Sequence, residues 1–213
     1  MLKRLLLAAA ISAVGITSSM AQVAIGLKGS LQFANEKITS SGISINGENL
    51  LGFQAGLILK APITDQLSIR PQLLYSTKGL KLLGSTFGGN GETKAVINYL
   101  EVPIQLAYSI EAGDGNVVLG AGPYLAYALS GKATVTVNGQ SETEDLDFND
   151  SDAQKRFDFG LNISAGYELN SGLGISAYYS PGLANLAPSN SGTNVTIKNS
   201  AFGISLSYFF GGN

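Results

Sequence analysis

The sequence predicts an all-β fold: a transmembrane up-and-down antiparallel β-barrel of eight strands that follows a cleaved signal peptide. Two observations predict it. Apolar and polar residues alternate with a period of two in eight segments, and the connections between those segments are long and short in turn. At 213 residues the chain is expected to form one domain. Its 27 glycines accompany 45% hydrophobic residues, which excludes low-complexity disorder.

The composition excludes several kinds of chemistry. The chain has no Cys, so disulfides and thiolate catalysis cannot occur, and no His, so a Ser-His or Asp-His arrangement cannot form. Its 13 basic and 15 acidic residues leave it near neutral, without the basic stripe typical of nucleic-acid binding. We therefore expect no enzyme, no cofactor, no metal site and no nucleic-acid partner. An unorthodox carboxylate or Ser-Lys site is the remaining catalytic alternative.

The amino-terminal residues have the features of a signal peptide. Lys3 and Arg4 precede an apolar stretch at residues 5–16, and residues 19–21 match the small-x-small pattern before a cleavage site. The apolar stretch is shorter than the roughly 18 to 20 residues of a membrane helix. We predict cleavage at the end of that pattern, export of the chain, and a barrel domain that spans residues 22–213.

Eight segments then follow in order, each with one apolar and one polar face. The first two, residues 23–34 and 51–61, have Leu, Ile, Val and Phe on one face and Lys, Gln, Ser and Gly on the other. In the next two, residues 66–80 and 94–110, apolar and polar residues alternate over the greatest length, and Leu74 is the exception. Both segments are longer than the roughly 9 to 11 tilted strand residues that cross a bilayer. The last four are residues 116–130, 157–170, 172–182 and 199–210.

The connections between the segments match those of bacterial membrane barrels, which have long loops outside the cell and tight periplasmic turns. Short turns rich in Asp, Asn and Gly fall at 62–65, 113–115 and 170–172, and polar loops fall at 35–49, 81–93, 131–156 and 184–198. Residues 132–143 could form a strand and a tight turn at Asn138-Gly139, which would give ten strands. We place that hairpin beyond the membrane instead.

The residue types on the two faces indicate which face meets lipid, because periodicity alone would also fit a soluble barrel such as a lipocalin. The polar face is rich in Gly, Ala and Ser, which suits the narrow interior of an eight-stranded barrel. A Lys or Arg facing lipid costs about 2 to 4 kcal/mol, so Lys28, Lys60, Arg70 and Lys78 should point inward. An interfacial aromatic girdle is expected on the apolar face. Its members are Tyr75, Tyr108, Tyr127, Tyr167, Tyr179, Tyr208 and Phe210.

Five motifs carry a resemblance to a known family. They are IRPQLLYSTKG, NYLEVPIQLAY, GAGPYLAYALSG, FDFGLNISAGYEL and KNSAFGISLSYFF, and the resemblance that they carry spans essentially the whole mature chain. In these motifs the chain resembles the PorT-like outer-membrane β-barrel family, a porin-like outer membrane protein β-barrel domain. The resemblance implies an eight-stranded barrel in an outer membrane. It implies little biochemistry, although some members are linked to the secretion of other proteins.

Polar residues on the inward face form the candidate site. They are Lys28, Gln54, Arg70, Gln72, Glu101, Gln105, Tyr124 and Asn162. We expect Lys28, Arg70 and Glu101 at similar mid-barrel depth. Buried charges persist only when they are paired, so the prediction is a polar plug with a charge contact at the depth of Arg70 and Glu101. A lumen that conducts solutes or binds a ligand is the alternative.

A second candidate is the acidic loop at residues 142–152. Spaced carboxylates suit calcium, but an EF-hand requires Gly at its sixth position and Glu at its twelfth. Counted from Asp145, these positions hold Asp150 and Arg156. A solvated acidic loop is therefore the prediction, and calcium binding stays the alternative.

Together these features predict a monomeric barrel in the outer membrane of a Gram-negative-type bacterium, with a structural or surface-interaction role and no catalysis. A narrow porin-like channel for small solutes, or an accessory component of a protein secretion system, is the alternative. The expected partners are outer-membrane lipid and, during insertion, the barrel-assembly machinery. Envelope or secretion-system proteins are further candidate partners.

Overall fold

The computed structural model describes residues 23–84, 91–148, 154–188 and 194–210, which form ten antiparallel strands. The strands are β1 (Ala24–Ser40), β2 (Ile43–Asn46), β3 (Leu50–Pro62), β4 (Leu67–Leu83), β5 (Glu92–Ala112), β6 (Gly115–Val137), β7 (Gln140–Asp145), β8 (Phe157–Leu169), β9 (Leu173–Pro181) and β10 (Val195–Phe210). The predicted signal peptide lies outside these residues. No helix in the described ranges is long and apolar enough to cross a membrane.

Eight of the strands close into a ring. Strands β1, β3, β4, β5, β6, β8, β9 and β10 each pair with the next, and β10 returns to β1 in a seam that runs from Ile25↔Phe210 to Ser40↔Val195. Strand β2 pairs with β1 and strand β7 pairs with β6, both outside the ring. The eight-strand prediction is confirmed. The segment that suggested ten strands forms a hairpin that extends the ring, as expected.

The strands tilt strongly with respect to the barrel axis, as closure of a sheet requires. A line of paired residues runs from Lys28 through Gly56, Leu74, Glu101 and Ala126 to Asp158. It begins near the end of the barrel that carries the short turns, called here the turn end. It finishes at the start of β8, at the opposite end, called here the loop end. Residues that are neighbours across strands therefore lie at different depths.

The loop end contains more strand than predicted. Strand β1 continues to Ser40, β4 continues to Leu83, and β10 already begins at Val195. The predicted loops at 35–49, 81–93 and 184–198 are therefore partly strand, and that part of the prediction was wrong. The reason is physical: a strand that has left the lipid no longer needs an apolar face, so the alternation that marks it fades.

The two faces of the wall have the predicted orientation. The large apolar side chains of the ring point outward and remain exposed, whereas Gln, Ser and charged side chains point into the lumen. Lys28, Arg70 and Lys78 are buried there, and Lys60 is half-buried. Leu74, the exception to the alternation, faces inward and is buried.

Aromatic side chains form two belts on the outer wall. The turn-end belt comprises Tyr108, Tyr167, Tyr208 and Phe210. The loop-end belt comprises Phe33, Phe53, Tyr75, Tyr127, Phe157, Phe159, Tyr179 and Phe202, with ring contacts such as Phe33–Phe202 at 5.3 Å. Tyr75 and Tyr127 lie within their strands rather than at the ends, because β4 and β6 continue past the belt. Two such belts are expected of a wall whose two edges meet the membrane interfaces.

Candidate functional site

All eight residues of the predicted polar cluster lie in the lumen and are buried. They are Lys28, Gln54, Arg70, Gln72, Glu101, Gln105, Tyr124 and Asn162. Each is placed there by the period of two along its strand, which sends alternate side chains to the inner face. The structure does not gather them into one layer; it distributes them over several depths with different partners.

One layer is a chain of amide groups across the lumen. The Lys28 ammonium donates to Oε1 of Gln72 at 2.9 Å, and Nε2 of Gln72 donates to Oε1 of Gln105 at 3.0 Å. From there Nε2 of Gln105 donates to Oδ1 of Asn162 at 2.6 Å, and Nδ2 of Asn162 donates to the Ser180 hydroxyl at 2.5 Å. These contacts connect β1, β4, β5, β8 and β9 through their side chains, so the layer spans the interior.

A second layer, nearer the loop end, is built on an ion pair. The Lys78 ammonium lies 2.7 Å from Oε2 of Glu101, and both side chains are buried. Gln54 approaches the other carboxylate oxygen at 3.4 Å. The ammonium also lies 4.4 Å from the centre of the Tyr124 ring, within the range of a cation–π contact. This layer pairs two opposite charges inside a low-dielectric wall.

A third layer closes the turn end. Glu168 accepts hydrogen bonds from Lys60 and, at 2.9 Å, from the Arg70 guanidinium. A cavity of about 810 Å³ at the turn end is lined by Lys60 and Glu168, and a smaller one of about 40 Å³ further inside is lined by Arg70 and Glu168. Because Glu168 lines both cavities, this cluster is the partition between them.

A buried apolar cluster lies at the loop end. Ala184, Leu186 and Ala187 follow β9 and pack in a buried cluster with Ile197 of β10. The amide of Leu186 donates to the carbonyl of Ile197 at 2.8 Å, and its carbonyl accepts from the amide of Lys155 at 3.0 Å. Backbone hydrogen bonds therefore fix this segment between β10 and the residues that precede β8.

The expectation that Lys28, Arg70 and Glu101 share one depth was wrong. On β4, Arg70 pairs with Gln105 of β5, whereas Glu101 pairs with Leu74. Since a strand rises about 3.3 Å per residue, the four-residue step from one pair to the other separates the two backbone positions by about 13 Å along the strand. Periodicity assigns each residue to a face, but it does not give the register between strands, which sets the depth.

The charges pair with residues that the predicted cluster left out. Glu101 pairs with Lys78 and Arg70 pairs with Glu168. A signal for them was present, because Lys78 shares the inward phase of Arg70 on β4, and Glu168 shares that of Asn162 on β8. Glu36, Asp158 and Asn199, which are also buried at the loop end, follow the same rule on their strands.

The acidic loop forms part of a projecting hairpin. Residues 140–145 are strand β7, and their side chains, including Glu142 and Glu144, are exposed. Asp145 lies 3.7 Å from Lys132 on β6. Residues 149–152 of the loop lie outside the described residues. In the part of the chain that the structure describes, no three His, Cys, Asp or Glu side chains are placed to hold a metal ion.

Comparisons with known proteins agree with this architecture. A family model described as "Outer membrane protein beta-barrel domain" matches residues 17–187. Among solved structures, the chain is similar to OprG of Pseudomonas aeruginosa, with 14% identity, 91% of this chain and 98% of OprG covered, and a TM-score of 0.50. Neisserial surface protein A is 14% identical over 91% of this chain and 100% of its own, with a TM-score of 0.46.

Ail of Yersinia pestis is 15% identical over 88% of this chain and 97% of its own, with a TM-score of 0.39. No curated protein matches the chain. At 14% identity the likeness to OprG shows the fold alone. Since the family model covers most of a chain whose described residues close into an apolar-walled ring, the protein belongs to the outer membrane protein β-barrel domain family and lies in the outer membrane of a Gram-negative bacterium.

Proposed function

We propose that this protein is a monomeric, non-conducting barrel that presents its extended strand ends as a contact surface outside the cell. The observation that carries the proposal is the layered interior. Side chains cross the lumen between non-adjacent strands at two depths, in the Lys60–Glu168–Arg70 cluster and the Lys28–Gln72–Gln105–Asn162 chain, and the Lys78–Glu101 pair fills the interior beside β4 and β5 nearer the loop end. A continuous water column would have to break the first two and pass the third, so the interior supports a plug rather than a channel.

The strand extensions support the contact role. Strands β1, β2 and β10 project together at one side of the loop end, and β5, β6 and β7 project at another. Ile43, Val135 and Val137 expose apolar surface on these extensions, beyond the loop-end belt. Lipid does not cover these side chains, so they are free to take part in a contact with a protein partner.

Conductance across planar bilayers tests the plug. The refolded protein should show no steady openings, while its change in gel mobility on heating shows that the inserted barrel is folded. Steady openings would instead favour the narrow channel for small solutes. The cavity of about 810 Å³ at the turn end would then be the vestibule of that channel.

Photo-crosslinking in living cells tests the contact surface. A crosslinking amino acid placed at Thr136 on the projecting hairpin should capture surface partners, whereas one at Asp114 in a turn should not. Adducts at Asp114 alone would support the accessory role in a secretion system. That narrower role, like the assignment to the PorT-like branch of the family, rests on the five sequence motifs and is proposed on them alone.

A further inference from the structure

A group of buried polar side chains lies at the loop end, above the Lys78–Glu101 pair. Glu36 on β1 and Asn199 on β10 are paired residues of the seam. Nδ2 of Asn199 donates to Oδ2 of Asp158 on β8 at 3.1 Å, and Nε2 of Gln154 donates to Oε2 of Glu36 at 2.9 Å. These four residues, Glu36, Gln154, Asp158 and Asn199, are called here the acidic chamber. Glu36 and Asp158 are 0% exposed and Asn199 is 3% exposed.

Each side chain of the acidic chamber has an oxygen without a hydrogen-bond partner. These atoms are Oε1 of Glu36, Oε1 of Gln154, Oδ1 of Asp158 and Oδ1 of Asn199. All four are acceptors. A buried acceptor that meets no donor is unfavourable, and proteins seldom leave several of them together. The chamber therefore has the composition of a site for an electron-poor ligand.

The charge of the acidic chamber is also uncompensated. Among the described residues, no Lys or Arg nitrogen lies within 4 Å of the Glu36 or Asp158 carboxylate. The Lys78 ammonium is attracted to Asp158, but it is already paired with Glu101. With every carboxyl ionised, the four charged groups of this region, Glu36, Asp158, Lys78 and Glu101, sum to −2. A buried carboxylate stays ionised only when it is paired or coordinated to a metal, and otherwise it takes up a proton.

We propose that the acidic chamber binds one hard divalent cation, with calcium preferred over magnesium. The ligands would be carboxylate oxygens of Glu36 and Asp158 and amide oxygens of Gln154 and Asn199. Calcium accepts carboxylate and amide oxygens together in flexible geometry and completes its shell with water, whereas magnesium requires a stricter octahedron. A charge of +2 also balances the chamber. The site would have two carboxylates and two amides, so it differs from a cluster of three acidic ligands, which the described residues do not contain.

The cation has a short route to the site. Gln154 is half-buried, so the chamber lies just beneath the surface at the loop end and can fill without passage through the plug. Once bound, the cation would hold β1, β8 and β10 to the segment that contains Gln154. We therefore expect it to stabilise the loop end of the barrel.

The proposal is tested by calorimetric titration with calcium. The sample is the full refolded chain in detergent micelles, from which a chelator has first removed any metal. Calcium should bind with a stoichiometry of one per chain and should raise the midpoint of thermal unfolding. Glu36→Gln and Asp158→Asn should each weaken binding at least roughly tenfold, because each removes a charged ligand. The matched control is the double variant Glu142→Gln/Glu144→Gln on exposed β7, which should bind as the unaltered protein does.

A variant with an added negative charge keeps the test decisive if the two charge-removing variants fail to fold. Asn199→Asp adds a third carboxylate and should bind calcium more tightly than the unaltered protein. The proposal is overturned if the unaltered protein binds no calcium at millimolar concentration. It is also overturned if calcium binding survives in both Glu36→Gln and Asp158→Asn. Loss of binding in the β7 control would overturn it too, because the ion would then lie on the projecting hairpin.

Discussion

Two salt bridges with the same chemistry lie in opposite surroundings in this protein. Lys78 and Glu101 are 2.7 Å apart, with side chains 1% and 0% exposed. Lys132 and Asp145 are 3.7 Å apart, with side chains 68% and 84% exposed. Removal of one partner from a buried pair leaves an unpaired charge at low dielectric, whereas water screens the charge left by an exposed pair. The interior pair should therefore affect stability far more than the surface pair.

The substitution Glu101→Gln is expected to lower the free energy of unfolding by about 3–5 kcal/mol, because the Lys78 ammonium stays buried without its counter-charge. The surface control Lys132→Gln should change it by less than about 1 kcal/mol. Urea unfolding of the barrel in lipid vesicles measures both values. Equal effects of the two substitutions would contradict the layered interior.

Glu36 should give the barrel a pH-dependent stability in metal-free buffer. It lies beyond the loop-end belt, where burial, together with the nearby Asp158 carboxylate, raises its pKa from 4.5 to about 7, and the hydrogen bond from Gln154 opposes the shift. The folded state thus holds this proton more tightly than the unfolded state. The stabilisation that this bound proton gives the folded state is complete below about pH 4.5 and is lost as the pH rises to about 7.

The variant Glu36→Gln stays neutral at every pH, so it should be more stable than the unaltered protein at pH 8 by about 2–4 kcal/mol. At pH 4 the two proteins should be nearly equal. Unfolding midpoints at both pH values, with a chelator present, measure the difference. The exposed control Glu142→Gln should show no such dependence, and a gain for Glu36→Gln that does not change with pH would rule out titration of this carboxyl group.

At the scale of the strand, close approach of neighbouring backbones limits which residues fit. A Cβ at Gly122 of β6 would lie 1.9 Å from the carbonyl oxygen of Ile104 on β5. A Cβ at Gly29 of β1 would meet nothing within 4 Å. Neither glycine has a positive φ, so only the space around them differs.

The substitution Gly122→Ala should therefore push β5 away from β6 and lower stability by at least about 1–3 kcal/mol. Gly29→Ala should be neutral or slightly stabilising, because it reduces the freedom of the unfolded chain. The fraction of each variant that migrates as folded barrel in gel electrophoresis without heating measures the effect. Similar fractions for both variants would show that the strands adapt to the extra carbon.

Prolines interrupt the pairing of the wall at three places. Backbone pairing between β3 and β4 skips the position of Pro71, that between β4 and β5 skips Pro103, and that between β5 and β6 skips Pro123. Each proline lacks the N–H that the ladder needs. In an open sheet such prolines would lie on an edge strand. A closed barrel has no edge strand, so the missing hydrogen bonds lie within its wall.

The strands and their faces could be predicted from the sequence because the period of two is a local property. Lys28 and Gln105 were assigned to the lumen in this way, and they lie there. Depth could not be predicted, since it depends on how far one strand slides past the next. That is why Arg70 and Glu101 were expected together, whereas each has a partner that the alternation alone could not select.

At the scale of the whole molecule, the two aromatic belts mark the edges of the membrane-facing band. Ile204 on β10 lies between Phe202 of the loop-end belt and Tyr208 of the turn-end belt, and it is 60% exposed. Ile43 on β2 is 71% exposed but lies beyond the belt. The two isoleucines are thus matched in exposure and differ in the medium around them.

The substitution Ile204→Arg is expected to reduce the stability of the inserted barrel by about 2–4 kcal/mol, because it places a charge in the hydrocarbon. Ile43→Arg should have almost no effect, because that side chain meets water. Folding into phosphatidylcholine vesicles, followed by tryptic protection of the barrel, measures both. An equal loss from Ile43→Arg would place the membrane boundary higher than the belt.

The seam between β1 and β10 joins residues as far apart in the chain as Ile25 and Phe210. Until β10 has been exported, β1 cannot form the pairing that closes the ring. During that time the apolar outer faces of the earlier strands are exposed to water in the periplasm. Contacts between distant parts of a chain form slowly and prolong exposure to aggregation. Newly translocated copies of this protein should therefore depend on periplasmic holding chaperones for as long as the last strand takes to arrive.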